Sequence, residues 1–248
     1  MIKKLVVMLG LIVFMVGSVA QADDLTADEI IERVDDNQFV ESAYLEARMI
    51  IEGRRSRENA MYVFIQDNNS FMEFTAPPQE RGTKYLKRGD ELRMYFPEAE
   101  EAVIISGHAL QEGLAGSDFS YQDMMESEKL TELYDYEIVE KTELEGRPVY
   151  ILQGLLKEGK EAAYYDRKMW IDAERFTWLK EELYARNGRL LKVSEAKELQ
   201  EFEEGRWYPV ETVMEDKLLK ESRTIFIIDH LDFGVDIPED TFSIDALE

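Results

Sequence analysis

From residue 43 almost to the end, apolar and polar side chains alternate in short runs, and Gly, Asn, Asp or Pro separates one run from the next. A side-chain period of two belongs to strands, because successive residues of an extended chain face opposite ways. Ala43, Leu45, Ala47, Met49 and Ile51 alternate in this way with Tyr44, Glu46, Arg48 and Ile50. The same reading predicts strands over 61–66, 71–74, 83–88, 91–96 and 102–106. After a gap it predicts 134–140, 148–156, 168–172, 177–184, 190–199, 207–215 and 222–230. The links between runs are short, so neighbours in sequence should pair as an antiparallel meander. Asn187-Gly188 is the clearest hairpin signal and predicts a two-residue type I′ turn.

Two segments depart from this rhythm. Thr26, with Glu29 three residues on and Ile30, Ile31 and Val34 at helical spacing, predicts a helix over 25–37 that opens with a capping box. Residues 107–130 contain Gly113 and Gly116 and then Asp118 to Met125, which reads as a short capped helix. The expected fold class is therefore mainly β (α+β), with one amino-terminal helix and one helical insertion in mid-chain.

Few helices are available to cover so much sheet, and the apolar rows carry large side chains. With Glu46, Arg48, Glu73 and Arg93 turned to water, the opposite face presents Met49, Met72, Phe74, Leu92, Met94 and Phe96. The run 61–66 is apolar on both faces, so both should be covered, and Phe64 is counted with the lining. Methionine is flexible and polarizable, so such a face suits varied apolar shapes. The lining reads as the wall of a container for an acyl chain, or as the core of a half-barrel. Gly113 and Gly116 are the expected hinge points of a lid that carries Phe119 and Tyr121.

The amino terminus bears on where such a protein works. Met1-Ile2-Lys3-Lys4 is basic, residues 5–16 are apolar, and Ala20-Gln21-Ala22 has the small-x-small cleavage pattern. These features predict a signal peptide over 1–22, cleaved after Ala22, followed by one domain over 23–248 and a periplasmic destination. The apolar run is shorter than the roughly 20 residues that a spanning helix needs. The chain has 29 Lys+Arg, 53 Asp+Glu and a formal net charge of −24. Loss of Lys3 and Lys4 with the leader makes the charge −26. Such an acidic surface disfavours nucleic acid as a partner. The absence of cysteine excludes disulfides, thiolate metal sites and a lipobox anchor.

No catalytic pattern emerges. His108 and His230 have no metal-ligand spacing, Gly116-Ser117-Asp118 lacks the flanks of a nucleophile elbow, and Asp232-Phe233-Gly234 stands alone. No cofactor, metal or enzymatic activity is expected.

A resemblance adds to this reading. Phe71-Met72-Glu73-Phe74-Thr75-Ala76-Pro77-Pro78, Gly82-Thr83-Lys84-Tyr85-Leu86 and Asp90-Glu91-Leu92-Arg93-Met94-Tyr95-Phe96-Pro97 resemble the outer-membrane lipoprotein-sorting family. The most specific piece is Gly116-Ser117-Asp118-Phe119-Ser120-Tyr121-Gln122-Asp123. The chain is similar to the LolA/LolB lipoprotein carriers of the bacterial periplasm. The resemblance implies an antiparallel incomplete β-barrel wrapped over the amino-terminal helix and a short helical lid. It also implies a monomeric carrier of lipoprotein or lipid acyl chains, supplied by an inner-membrane lipid exporter and relieved by an outer-membrane acceptor. The lipoprotein carriers have a lid-latching arginine in the turn after the second strand. Here that turn reads Gln66-Asp67-Asn68-Asn69, so the latch does not carry over and the cargo stays open between lipoprotein and another lipid. The alternative function is a periplasmic sensor or interaction module that uses the same fold to bind an envelope protein partner or a lipid signal.

Overall fold

The computed structural model describes residues 25–53, 56–219 and 222–247. The expected signal peptide lies outside the described residues. Helix α1 (Ala27–Gln38) starts as the sequence dictates. The Thr26 hydroxyl accepts from the Glu29 N–H at 3.2 Å, and the Glu29 carboxylate accepts from the Thr26 N–H at 2.8 Å. These bonds hold the Glu29 carboxyl below its usual range.

All thirteen expected strands form, and they make one antiparallel sheet. The first half comprises β1 (Ser42–Glu52), β2 (Arg57–Gln66), β3 (Asn69–Ala76), β4 (Lys84–Arg88), β5 (Glu91–Phe96) and β6 (Glu101–Ile105). The second comprises β7 (Tyr134–Leu144), β8 (Arg147–Leu156), β9 (Asp166–Asp172), β10 (Trp178–Tyr184), β11 (Leu190–Glu201), β12 (Trp207–Asp216) and β13 (Arg223–Phe233). Each half is a meander. They join where β13 returns beside β1, so the order runs β6 to β1 and then β13 back to β7. The sheet is an incomplete barrel with β6 and β7 as its free edges.

That order explains the insertion. The chain leaves one edge at β6 and re-enters at the opposite edge, β7, so residues 106–133 must cross a face of the sheet. This strap carries α2 (Tyr121–Met125), α3 (Leu130–Leu133) and two 3₁₀ turns. It covers the half built from β1 to β5 and β13, where Leu45, Met49, Met61, Met72, Phe74 and Leu92 are buried beneath it. The other half is filled by α1, whose Ile30, Ile31 and Val34 pack on Leu152, Met169 and Ile171. Asp35 ties the two covers together by accepting from the N–H groups of Leu130 and Thr131 at 2.8 and 3.0 Å.

The opposite face of β2 to β4 is also covered, by a segment with no strand pattern. Phe242 and Leu247, on two 3₁₀ turns near the carboxyl end, pack on Phe71 and Leu86. One turn differs from expectation. The Asn187-Gly188 hairpin is a type I turn over Ala185–Gly188, with Gly188 left-handed at φ 76° and the ladder closed by Ala185 N–H to Arg189 O at 2.9 Å. Only the glycine takes positive φ, so this is the turn-plus-bulge connection and not type I′.

Candidate functional site

The strap is held by the residues its sequence motif contains. Gly113 is required by close approach, since a Cβ there would lie 2.2 Å from the Ser117 carbonyl oxygen. Gly116 takes φ +73°, and its Cβ would meet the Arg57 guanidinium at 2.8 Å. The intervening turn is closed by Gly116 N–H to Gly113 O at 3.0 Å and Leu114 N–H to Phe119 O at 2.7 Å. The two expected hinge glycines thus sit in a tight, hydrogen-bonded loop.

Asp118, only 2% exposed, clamps this loop to the sheet. Its carboxylate accepts from the Thr224 hydroxyl at 2.6 Å and from the Asp216 N–H at 3.1 Å. Its own N–H donates back to the Thr224 hydroxyl at 2.9 Å. Next, Phe119 turns inward to meet the Phe226 ring edge-on at 5.9 Å. Ser120 then caps α2 in a reciprocal box with Asp123. Tyr121 is buried against Tyr85, ring centroids 5.8 Å apart.

Between strap and sheet lies a cavity of about 280 Å³, walled chiefly by Leu45, Met49, Met61, Val63, Ile65, Met72, Leu114, Phe119, Met124 and Phe226. The structure places the expected site residues in three groups. Met49, Met72 and Phe119 line the cavity. Phe74, Leu92, Met94 and Tyr121 belong to the same apolar cluster but stand behind that wall. Phe64 and Phe96 do not join it. Phe64 projects from the other face, packing on the Tyr44 ring at 5.0 Å and beside the carboxyl-terminal turns. Phe96 ends β5 beyond the reach of the strap and is 39% exposed. The inner row of β2 is Met61, Val63 and Ile65.

The rim is polar and contains charges that the sequence reading missed. Lys87, 3% exposed, donates to the Asn68 backbone oxygen at 3.2 Å, to the Asn68 side-chain oxygen, and to Ser127 Oγ at 3.0 Å. Ser127 Oγ also donates to the Asn68 side chain. The strap is thereby fastened to the β2–β3 turn. Burial pushes the Lys87 ammonium down to about 8, against an upward pull from Asp90. Asp123 is a hub that accepts from Lys192 Nζ at 2.8 Å and the Tyr164 hydroxyl at 2.6 Å. Burial, then Asp123, hold the Tyr164 hydroxyl far above its usual range.

Deeper in, Arg167 lies 3.4 Å from Glu126 and 3.9 Å from Glu181. Burial acts to lower the guanidinium, but Glu181 and Glu126 more than reverse this and hold it well above its usual value. Burial raises the Glu181 carboxyl, with Arg167 opposing. Among the described residues no group of three or more His, Cys, Asp and Glu side chains could hold a metal ion. His230 lies beside Asp232 at 2.8 Å, on an exposed stretch of β13.

Residues 66–248 match the model of a family of uncharacterized, DUF1329-like proteins. The chain belongs to that family. This DUF1329-like chain is similar in structure to a DUF1329 family protein from Desulfovibrio piger, with TM-score 0.81 and 23% identity over 89% of this chain and 97% of that one. A putative outer membrane lipoprotein-sorting protein domain from Vibrio parahaemolyticus gives TM-score 0.77 and 21% identity over 89% and 97%. A LolA superfamily protein from Nitrosomonas europaea gives 0.75 and 22% over 90% and 100%. The DUF1329-like chain therefore has the LolA fold. No curated protein sequence matches it. Among its described residues no helix is long and apolar enough to cross a membrane.

Proposed function

We propose that this protein is a periplasmic carrier that shelters an acyl chain of a lipid or lipoprotein on its way towards the outer membrane. The observation that carries the reading is the cavity beneath the strap, where aliphatic, methionine and aromatic side chains from β1, β2, β3 and β13 face one another across empty space. Apolar burial is worth about 0.8 kcal/mol per methylene, so an eight-carbon stretch would gain about 6 kcal/mol before the cost of ordering it. Burial of the chain itself needs no polar contact, only a roof that lifts. The strap suits that role because, besides its apolar contacts through Phe119 and Tyr121, it is fastened by hydrogen bonds at Asp118, Asp123 and Ser127, and polar contacts can exchange with water as it opens.

In this reading residues 1–22 are the export leader, cleaved after Ala22. An inner-membrane lipid exporter loads the carrier and an outer-membrane acceptor unloads it. The fold shared with the lipoprotein-sorting domain supports the class of cargo. The test is purification of the exported protein from an envelope fraction without detergent, then solvent extraction and mass spectrometry. Recovery of acyl lipid or acylated peptide in a fixed ratio to protein is expected. An empty protein that also fails to take up a fluorescent fatty acid would overturn the reading, and a stoichiometric protein partner recovered without lipid would replace it with an interaction module.

A further inference from the structure

Beside the apolar cavity lies a second one of about 300 Å³, and Ile65, Asp67, Glu126 and Ser127 line both. The second compartment is polar. Arg167 and Glu181 form part of its wall, Gln38 reaches it from the end of α1, and Glu128 and Lys129 from the strap.

Two hydrogen-bond donors here have no partner: Nε of the buried Arg167 and Nε2 of Gln38. Arg167 is 7% exposed, and its nearest carboxylate through Nε, that of Glu181, stands at 3.9 Å, too far for a hydrogen bond. Buried donors are costly to leave unmet, and both belong to side chains that wall this compartment, so a small shift of either side chain presents its donor to an acceptor oxygen there. The acceptor cannot be a simple anion. Asp35, Asp67, Glu126, Glu128 and Glu181 outnumber Arg167 and Lys129 around the compartment, and a group with net negative charge would be repelled. A head group that brings acceptor oxygens together with its own ammonium meets both conditions.

We propose that the polar compartment holds the head group of the amphiphile whose chain fills the apolar cavity, and that it selects a zwitterionic head. Phosphate or ester oxygens accept from Arg167 and Gln38, and the ammonium lies towards the carboxylates of Glu126, Glu128 and Asp67. The inference rests on the acyl-carrier reading and names the ligand class of that site.

The experiment displaces a fluorescent fatty acid from the delipidated protein with three amphiphiles that share one acyl chain. Their heads are phosphoethanolamine, phosphoglycerol and a plain alcohol. The phosphoethanolamine lipid is expected to bind about tenfold more tightly than the phosphoglycerol lipid. Gln38→Met should erase most of that preference and leave the alcohol unchanged. Arg167→Lys, which keeps the charge and loses the Nε–H, should do the same, with circular dichroism confirming its fold. Equal affinity for all three heads would mean that water satisfies the two donors, and overturns the head-group site alone. A preference for phosphoglycerol, or a preference untouched by Gln38→Met, also overturns it. Failure of every amphiphile, the alcohol and the fatty acid included, overturns the carrier reading itself.

Discussion

Thr224→Val keeps the shape of a wholly buried side chain and removes only its hydroxyl. That hydroxyl makes two of the three bonds at Asp118: it donates to the carboxylate at 2.6 Å and accepts from the Asp118 N–H at 2.9 Å. Hydrogen bonds to a charged group contribute about 1.5–3 kcal/mol, and a buried N–H left alone costs about 1–3 kcal/mol. The Asp216 N–H still supports the carboxylate, so we expect a loss of about 3 kcal/mol. The strand ladders do not depend on this contact, so the strap lifts before the sheet unfolds, and the loss appears first as local opening. Native-state hydrogen exchange reads it directly at the Leu114 and Ser117 amides, which close the loop through Phe119 O and Leu114 O. A 3 kcal/mol change corresponds to a fall in their protection of about a hundredfold. Thr224→Ser restores the hydroxyl and should keep most of the protection. If the valine variant changes protection by less than about threefold, or serine fails as badly as valine, Asp118 is not what holds the strap down.

Met49→Glu, which places a carboxylate in the cavity wall, should abolish uptake of a fluorescent fatty acid, whereas Phe96→Glu on the exposed end of β5 should leave it unchanged. Gly113→Ala forces a Cβ onto the Ser117 carbonyl, while nothing lies within 4 Å of one added at Gly53. The first change should lower the thermal midpoint by several degrees and the second should barely move it. The folded-state value of Lys87, about 8, is below its ordinary 10.5. The unfolded chain therefore binds the extra proton between these limits. Stability should rise with pH from about 8 to 10.5 by up to about 3 kcal/mol from this group alone. Lys87→Met should remove that increment, read as the difference between the urea midpoints of the two proteins at pH 7.5 and 10.

The strands were legible because their cause is local: side-chain alternation and turn chemistry act within a few residues, and even the doubly apolar run of β2 is bounded by turn residues. The helix cap at Thr26 and the strap's cap at Ser120 were legible for the same reason. What failed involved matters that alternation cannot report. Both faces of β2 are apolar, so its sequence does not say which one holds the cavity, and a distant carboxyl-terminal segment covers the other. Phe64 thus looked like lining. Phe96 obeys the parity of its strand but stands past the end of the roof. Lys87, Lys192, Arg167 and Glu181 carry no local signal in the sequence, since each finds its partners outside its own strand. The clamp on Asp118 joins residues 106 positions apart. The motif around Asp118 could be picked out, but its use could not.

The seam between β1 and β13 has a consequence for how the protein is made. Ala43 pairs with Phe233, about 190 positions on, so one of the first strands to be made waits for the last. Until it arrives, β1 is an open edge bearing a row of apolar side chains, and such edges recruit other strands. The clamp waits as well, because Thr224 lies in the same final strand. Neither the sheet nor the strap's attachment to it can be completed by a chain that still lacks its last strand. Closure of so long a loop is slow, and the protein should be most prone to aggregate in the interval before its last strand docks.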